Sequence, residues 1–487
     1  MTREAAATQD PAATRKAAAS SASASRPPFG RSVPGNRWDL VDAREAAVAA
    51  SARSVSVIVA HFEQQAELDR TLAALARQTH PAGLLEVIVV DDGSREPPTV
   101  PSGVRLLVQE DLGFRAGAAR NLGARGASGD VLCFLDADTS PEPEYVARMA
   151  ALPSVLPEAV VAGHRKHADF AGVDAGAPVE KLGPEHELPE PAWLLDAYSG
   201  SRNLLDADDR SYRFVIGAVF SCTRWFFAET GGFDEDFLGY GGEDWEWSHR
   251  AWLAGAVLAY ESSAVAWHDG PDWAGRSAED TNRQEQKNRE TLLLAQKIGV
   301  EGSRPLALRT AAPDVVAILH SAPSSGAAFV CVDTLLAQLP HARVVVPPDV
   351  HPVFGGDPRV TPATEPAPRG RVRVDLDVPV HLGRPELAAA RPSESEFKPV
   401  SKPESEPAAT ETTTLQRAIA RVGISDLGAV HLDTHVSVTS ERALRREERW
   451  GDAAGWRTED VADASISAIP VDVSVAAYLG GWLSLED

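Results

Sequence analysis

Val131-Leu-Cys-Phe-Leu-Asp-Ala-Asp138 places five consecutive apolar residues directly before two carboxylates. A short apolar run of this length suits a strand buried on both faces, the kind found in parallel sheets covered by helices. Working upstream, Gly117–Ala127 reads as a helix and Val104–Val108 as a strand. Before them come Leu85-Glu-Val-Ile-Val-Val90, then Leu68, Leu72 and Leu75 at helical spacing, then Ser54-Val-Ser-Val-Ile-Val-Ala60. Strands alternating with helices predict an α/β fold, Rossmann-like, with a mostly parallel sheet and helices on both faces. Ligands of such sheets bind beyond the carboxyl ends of the strands. Three strand ends there carry polar residues: Ala60-His-Phe-Glu63, Asp91-Asp-Gly-Ser94 and Asp136-Ala-Asp138. Two carboxylates leaving an extended segment together can hold a hard divalent cation, which can bridge a diphosphate. Asp-x-Asp recurs at Asp206, Asp234 and Asp375, so position after a buried strand is what distinguishes Asp136 and Asp138.

Downstream, residues 165–212 are rich in Pro, Gly, Asp and Glu and read as a long loop with short helices. Arg213–Cys222 is strand-like, Phe233–Gly242 a Gly-rich turn, and Glu243–Leu253 helical. Ala256–Tyr260 and Ala264–Trp267 read as two short strands, and Thr281–Ile298 as a closing helix. Near Pro313 the pattern restarts with Val315-Val-Ala-Ile-Leu319, a helix over Ala327–Gln338 and Arg343-Val-Val-Val346.

A chain of 487 residues exceeds what one hydrophobic core normally covers, about 250–300 residues. The expected organisation is a disordered tail over 1–37, a first domain over 53–300, and a smaller C-terminal α/β domain over 313–487 interrupted by a disordered linker at 391–414. Asp plus Glu number 70 against 47 Lys plus Arg, a net charge of -23, and such a surface repels nucleic acid and anionic lipid. Cys133, Cys222 and Cys331 stand too far apart in sequence for a readable disulfide framework or structural zinc site. The absence of a long apolar run predicts no transmembrane segment, and the expected location is cytoplasmic, with peripheral membrane attachment left open.

From Ser54 to His268 the chain resembles the glycosyltransferases of the GT-A fold, particularly family 2. The resemblance rests on Val57-Ile-Val-Ala-His-Phe-Glu63, Val89-Val-Asp-Asp-Gly-Ser94, Gly113-Phe-Arg-Ala-Gly-Ala-Ala-Arg-Asn-Leu-Gly123, Phe134-Leu-Asp-Ala-Asp138, Gly231-Gly-Phe-Asp-Glu-Asp-Phe237 and Gly241-Gly-Glu-Asp244, in that order. Phe237-Leu-Gly-Tyr-Gly-Gly-Glu-Asp-Trp-Glu-Trp247 with Trp267-His268 resembles the acceptor region of β-1,4-galactosyltransferases and bacterial chondroitin polymerases, with Tyr240 where that family has Trp.

The resemblance implies an inverting, metal-dependent glycosyltransferase that moves a sugar from a nucleotide diphosphate donor, a UDP-sugar foremost, to an acceptor hydroxyl. It implies donor contacts from Ala60, His61, Phe62, Glu63, Asp92, Arg115, Arg120 and Asp136. Mn²⁺ or Mg²⁺ would sit on Asp138 and His268. Asp244 would be the general base and Glu243 its acceptor-holding neighbour, with Tyr240, Gly241, Gly242 and Trp245 lining the acceptor. The acceptor itself, whether glycan, lipid-linked, peptide or small molecule, is not implied.

By themselves the residues also allow a nucleotidyltransferase, or a non-catalytic protein that binds sugar nucleotides or glycans. For the C-terminal unit three roles stand open: acceptor binding, dimerisation, or a degenerate second transferase-like domain.

Overall fold

The computed structural model describes residues 26–239, 241–271, 282–364, 367–382, 412–469, 471 and 473–479. Nine strands form the first sheet: β1 (Val55–His61), β2 (Leu85–Asp91), β3 (Arg105–Val108), β4 (Val131–Asp136), β5 (Thr139–Pro141), β6 (Ala159–Ala168), β7 (Glu187–Leu188), β8 (Val219–Thr223) and β9 (Val257–Asp269). Their order is β3-β2-β1-β4-β8-β6-β9-β5, with β7 paired to β6. The first four are mutually parallel, and β8 runs antiparallel to β4 and β6.

Alternation along β1 explains the two layers of helix. Val55, Val57 and Val59 share a core with Leu68, Leu72 and Leu75 of α1 (Gln65–Leu75). Ile58, pointing the other way, packs in a second core with Ala119 and Ala124 of α2 (Ala116–Gly126). Register then fixes the functional edge: His61 pairs with Asp91, and Ala60 with Asp136.

The second sheet contains β10 (Val315–Leu319), β11 (Arg343–Val346), β12 (Val360–Pro362), β13 (Val372–Leu376), β15 (Leu427–Leu432), β16 (Val436–Ser440) and β17 (Arg457–Val461), in the order β12-β11-β10-β13-β16-β15-β17. β14 (Val380–Leu382) pairs separately with β18 (Ile466–Ala468). In sequence α3 (Glu243–Leu253) precedes β9, and α4 (Asn282–Lys297) lies between the two sheets. The second unit adds α5 (Ser325–Gln338), α6 (Thr414–Arg421) and α7 (Glu441–Trp450).

Several expectations need correction. Residues 26–37 are packed, and a polar residue does the anchoring: the Asn36 amide donates to the carbonyls of Leu204 and Leu258 and accepts from the Leu258 N–H. Low apolar content therefore misjudged that stretch, while 1–25 lie outside the described residues. The linker at 391–414 falls mostly outside them too, but Thr413 closes a capping box with Gln416 at the start of α6. β6 extends to Ala168, into the stretch read as loop. The two short strands after Ala256 are one, β9, whose pairing with β6 shifts register between Gly163 and His164. Of the run Arg213–Cys222 read as a strand only residues 219–222 belong to one, β8, since Ser211–Phe214 coils into a 3-10 turn. Among the described residues no helix is long and apolar enough to cross a membrane.

Candidate active site

The carboxyl ends of β1, β2 and β4 border a cavity of about 370 Å³. It is closed on the far side by Ile216, Gly217 and Ala218 before β8 and by the start of α3, and His268 of β9 also lines it. Ala60, His61, Phe62, Asp92, Arg120, Asp136, Asp138, His268, Gly241, Glu243 and Asp244, all anticipated from sequence, line this one space.

The strand-end residues are held by each other. Nδ1 of buried His61 lies 2.8 Å from Asp91 Oδ1, and its Nε2 accepts from the Gln64 N–H. Asp92 accepts from the Gln109 amide at 2.5 Å and the Arg115 N–H at 2.8 Å, so it pins the loop that leads into α2.

Asp138 and His268 meet from β4 and β9: Asp138 Oδ2 lies 3.5 Å from His268 Nε2. Gln64 and Thr139 also donate to the Asp138 carboxylate. Burial alone would raise its pKa, but hydrogen bonding and charge from His268, with Gln64 and Thr139, hold it below the usual carboxylate value. His268 Nδ1 lies 3.1 Å from the Gly270 carbonyl, an arrangement that orients the ring and leaves Nε2 facing Asp138. A separation of 3.5 Å lets both atoms ligate one ion at about 2.1 Å each. Among the described residues no three His, Cys, Asp or Glu side chains gather as a metal site. This oxygen-and-imidazole pair fits a divalent cation that accepts one nitrogen and keeps water or phosphate oxygens as its other ligands, Mn²⁺ better than the oxygen-preferring Mg²⁺.

Across the cavity, α3 begins at the glycine pair Gly241 and Gly242, whose φ values of +92° and +94° lie in the left-handed region that side chains disfavour. A Cβ on Gly242 would stand 2.9 Å from Phe237, so the turn also needs the missing atom. Asp244 accepts from the Gly217 N–H at 3.0 Å and from the Trp245 N–H at 2.8 Å. Buried Glu243 accepts from Arg120 at 2.8 Å through Oε1, while its Oε2 is buried without a hydrogen-bond partner. Burial, then the neighbouring Asp244 charge, push the Glu243 carboxyl up to about 7 against the pull of Arg120. Burial likewise raises Asp244, opposed by the Gly217 N–H and Arg120 and assisted by Glu290 of α4.

Arg120 spans the two sides, donating to Asp136 at 2.6 Å and to Glu243 at 2.8 Å. Burial disfavours its charge, but the two carboxylates outweigh burial and raise its pKa above the ordinary value. Both of its terminal nitrogens are thus engaged by protein carboxylates, where the resemblance implied a donor contact.

Four anticipated residues are not among those lining the cavity. Glu63 accepts from the Arg95 N–H, and the Arg115 guanidinium donates to the Glu110 carbonyl. Gly242 packs against Phe237 and Glu290. Trp245 packs beside Tyr212, Arg213 and Lys287, on the cluster built from Phe237 and Leu294. Tyr240 lies outside the described residues. Sequence reasoning missed Gln64, Arg165 and Gly217, all of which line the cavity. Gln64 directly follows a quoted motif, whereas a backbone N–H such as that of Gly217 has no signature.

Residues 56–185 match the family described as glycosyl transferase family 2, and residues 207–262 match the N-terminal domain of galactosyltransferase. The first unit is a glycosyltransferase domain. The chain is 31% identical over 268 residues to a hyaluronan synthase of Pasteurella multocida, covering 50% of this chain and 27% of that one. It is 33% identical over 225 residues to a validoxylamine A glucosyltransferase of Streptomyces hygroscopicus subsp. limoneus (40% and 47%). It is 28% identical over 267 residues to a chondroitin synthase of Escherichia coli (50% and 38%). The chain therefore spans less than half the length of these relatives. The transferase unit has the GT-A architecture, a curled sheet led by parallel strands.

Proposed function

We propose that the chain transfers a sugar from a nucleotide diphosphate sugar, a UDP-sugar foremost, to an acceptor hydroxyl with inversion at the anomeric carbon. The observation that carries this reading is the pair Asp138 and His268 facing Glu243 and Asp244 across one cavity. A divalent cation held by Asp138 and His268, Mn²⁺ or Mg²⁺, would neutralise the departing diphosphate.

The chain's own residues do the rest. Ala60, His61 and Phe62 line the nucleotide, and Asp92 takes the base or ribose. Asp136, tethered to Arg120, orients the donor on its sugar side. Asp244 removes the proton of the attacking hydroxyl, with its carboxylate aimed by the N–H groups of Gly217 and Trp245. Its raised pKa suits a base working near neutral pH. Glu243 and Gly241 hold the acceptor beside it. A nucleotidyltransferase would leave the carboxylates at the start of α3 without a task.

A thermal-shift and donor-hydrolysis screen of nucleotide sugars, with and without Mn²⁺, tests the reading. Ligand that binds the folded form must raise its apparent stability. A shift with one donor that requires the metal is expected. Finding no shift with any nucleotide sugar overturns the proposal.

A further inference from the structure

The helix that carries Glu243 and Asp244 is gripped at its other end by the second unit. Three arginines on one face of α7 enter the transferase unit, and Arg442 and Arg446 are 1% and 0% exposed. Arg449 donates to the Ala254 carbonyl at 2.7 Å, Arg446 to Gly255 at 2.7 Å, and Arg442 to Ala256 at 3.0 Å. These three consecutive carbonyls form the turn between α3 and β9. Gly255 holds φ at +94°, and a Cβ there would stand 2.9 Å from Arg446 Cγ, so turn and guanidinium are fitted to each other.

The grip extends to the helix side chains. The Arg442 guanidinium lies 3.4 Å from the ring centroid of fully buried Trp252. The Trp252 indole N–H donates to Asp209, which in turn accepts from Arg371 of the second unit.

Such contacts exceed what tethering two domains needs. Burying cations is costly unless they are paired or well hydrogen-bonded, and the carboxylates of Glu158 at 3.0 Å and Glu229 at 4.0 Å both meet this cluster through Arg449, leaving Arg442 and Arg446 to backbone carbonyls. Positive charge beside a helix C-terminus is favoured by the helix dipole, and lost carbonyl partners would leave buried guanidinia unsatisfied. An eleven-residue helix is about 16 Å long and moves as a rod, so a shift at Ala254 reaches Asp244.

We propose that the second unit is a positioning part of the transferase site, in which Arg442, Arg446 and Arg449 fix the helix that presents Glu243 and Asp244. The catalytic meaning of this grip rests on the transferase reading above; its mechanical part does not. None of the three arginines touches the cavity, so all three are positioning residues.

The test uses the full chain with Arg446→Gln and Arg446→Lys. Deuterium exchange of amides within 241–253 is expected to quicken by about 10-fold or more in Arg446→Gln, with 57–63 and 89–94 unchanged. Turnover per folded molecule is expected to fall roughly 10-fold to 10²-fold, because small misplacements of reacting groups are that costly, while donor KM stays within about two-fold. Arg446→Lys restores part of both, and it carries the test alone if Arg446→Gln does not fold. Unchanged exchange in 241–253, or lost stability with turnover per folded molecule intact, overturns the proposal. If wild type transfers no sugar at all, the transferase reading fails, and the exchange result still decides the mechanical grip.

Discussion

The two sheets share a plan and differ in what surrounds it. In each, four parallel strands stand in the order third, second, first, fourth, and an antiparallel strand follows the fourth: β8 beside β4, β16 beside β13. Each also pairs a histidine just at or after its first strand with an aspartate: His61 with Asp91 at 2.8 Å, His320 with Asp375 at 2.6 Å. In the first unit, Asp138 and His268 are left facing a cavity that α3 closes with two further carboxylates. In the second, Asp375 is consumed by its own neighbours. It accepts from Arg373 as well as meeting His320, and although burial opposes it, these partners hold its pKa low. A shared strand order therefore does not make a site. The strand edge becomes a site through segments that follow β8, above all the glycine turn, α3 and the His268 end of β9.

Replacing what only the first unit has should do the most damage. Asp244→Asn keeps the shape but removes the base, and turnover with saturating donor and acceptor should fall roughly 10² to 10⁴-fold. Full activity in that variant would return Asp244 to a helix-start carboxylate and erase the difference between the units.

A smaller effect sharpens the same contrast. Because burial raises both Glu243 and Asp244, the pair should titrate above the ordinary carboxylate range. The base works deprotonated, so turnover should rise with pH along a limb lying above the ordinary carboxylate range. Glu290→Gln removes a charge that helps raise Asp244, so the acidic limb should move to lower pH. A limb that stays near pH 4 in both proteins would contradict the environment described for α3.

The parts legible in the sequence are those where local pattern and burial agree. β1, β2 and β4 are near-continuous apolar runs because helices cover both faces, and their polar ends mark the functional edge. β6 was half missed because its second half, His164-Arg-Lys-His-Ala168, is polar and pairs with β9 across a register shift. Asp375 stands in the alternating run Arg371-Val-Arg-Val-Asp-Leu-Asp-Val378, a pattern that suits a solvated strand face, yet its side chain is 13% exposed and meets Arg373 and His320. The arginines of α7 look like a solvated charged face, since spacing shows which side they share but not that backbone carbonyls await them. Gly217 contributes through its N–H, which no residue type announces. Trp245 departs from what the resemblance implies, because the helical turn carries it away from the cavity to the side packed on Tyr212 and the Phe237 cluster.

The most direct test compares the two units within one protein. Metal-dependent transfer of a labelled sugar would be measured for wild type, Asp138→Ala and Asp375→Ala at saturating Mn²⁺. Loss of transfer in Asp138→Ala, with Asp375→Ala within about two-fold of wild type per folded molecule because Asp375 does not line the cavity, is the predicted result. Transfer that survives in Asp138→Ala, or disappears in Asp375→Ala while the protein stays folded, would contradict the assignment of the reaction to the first unit's strand edge.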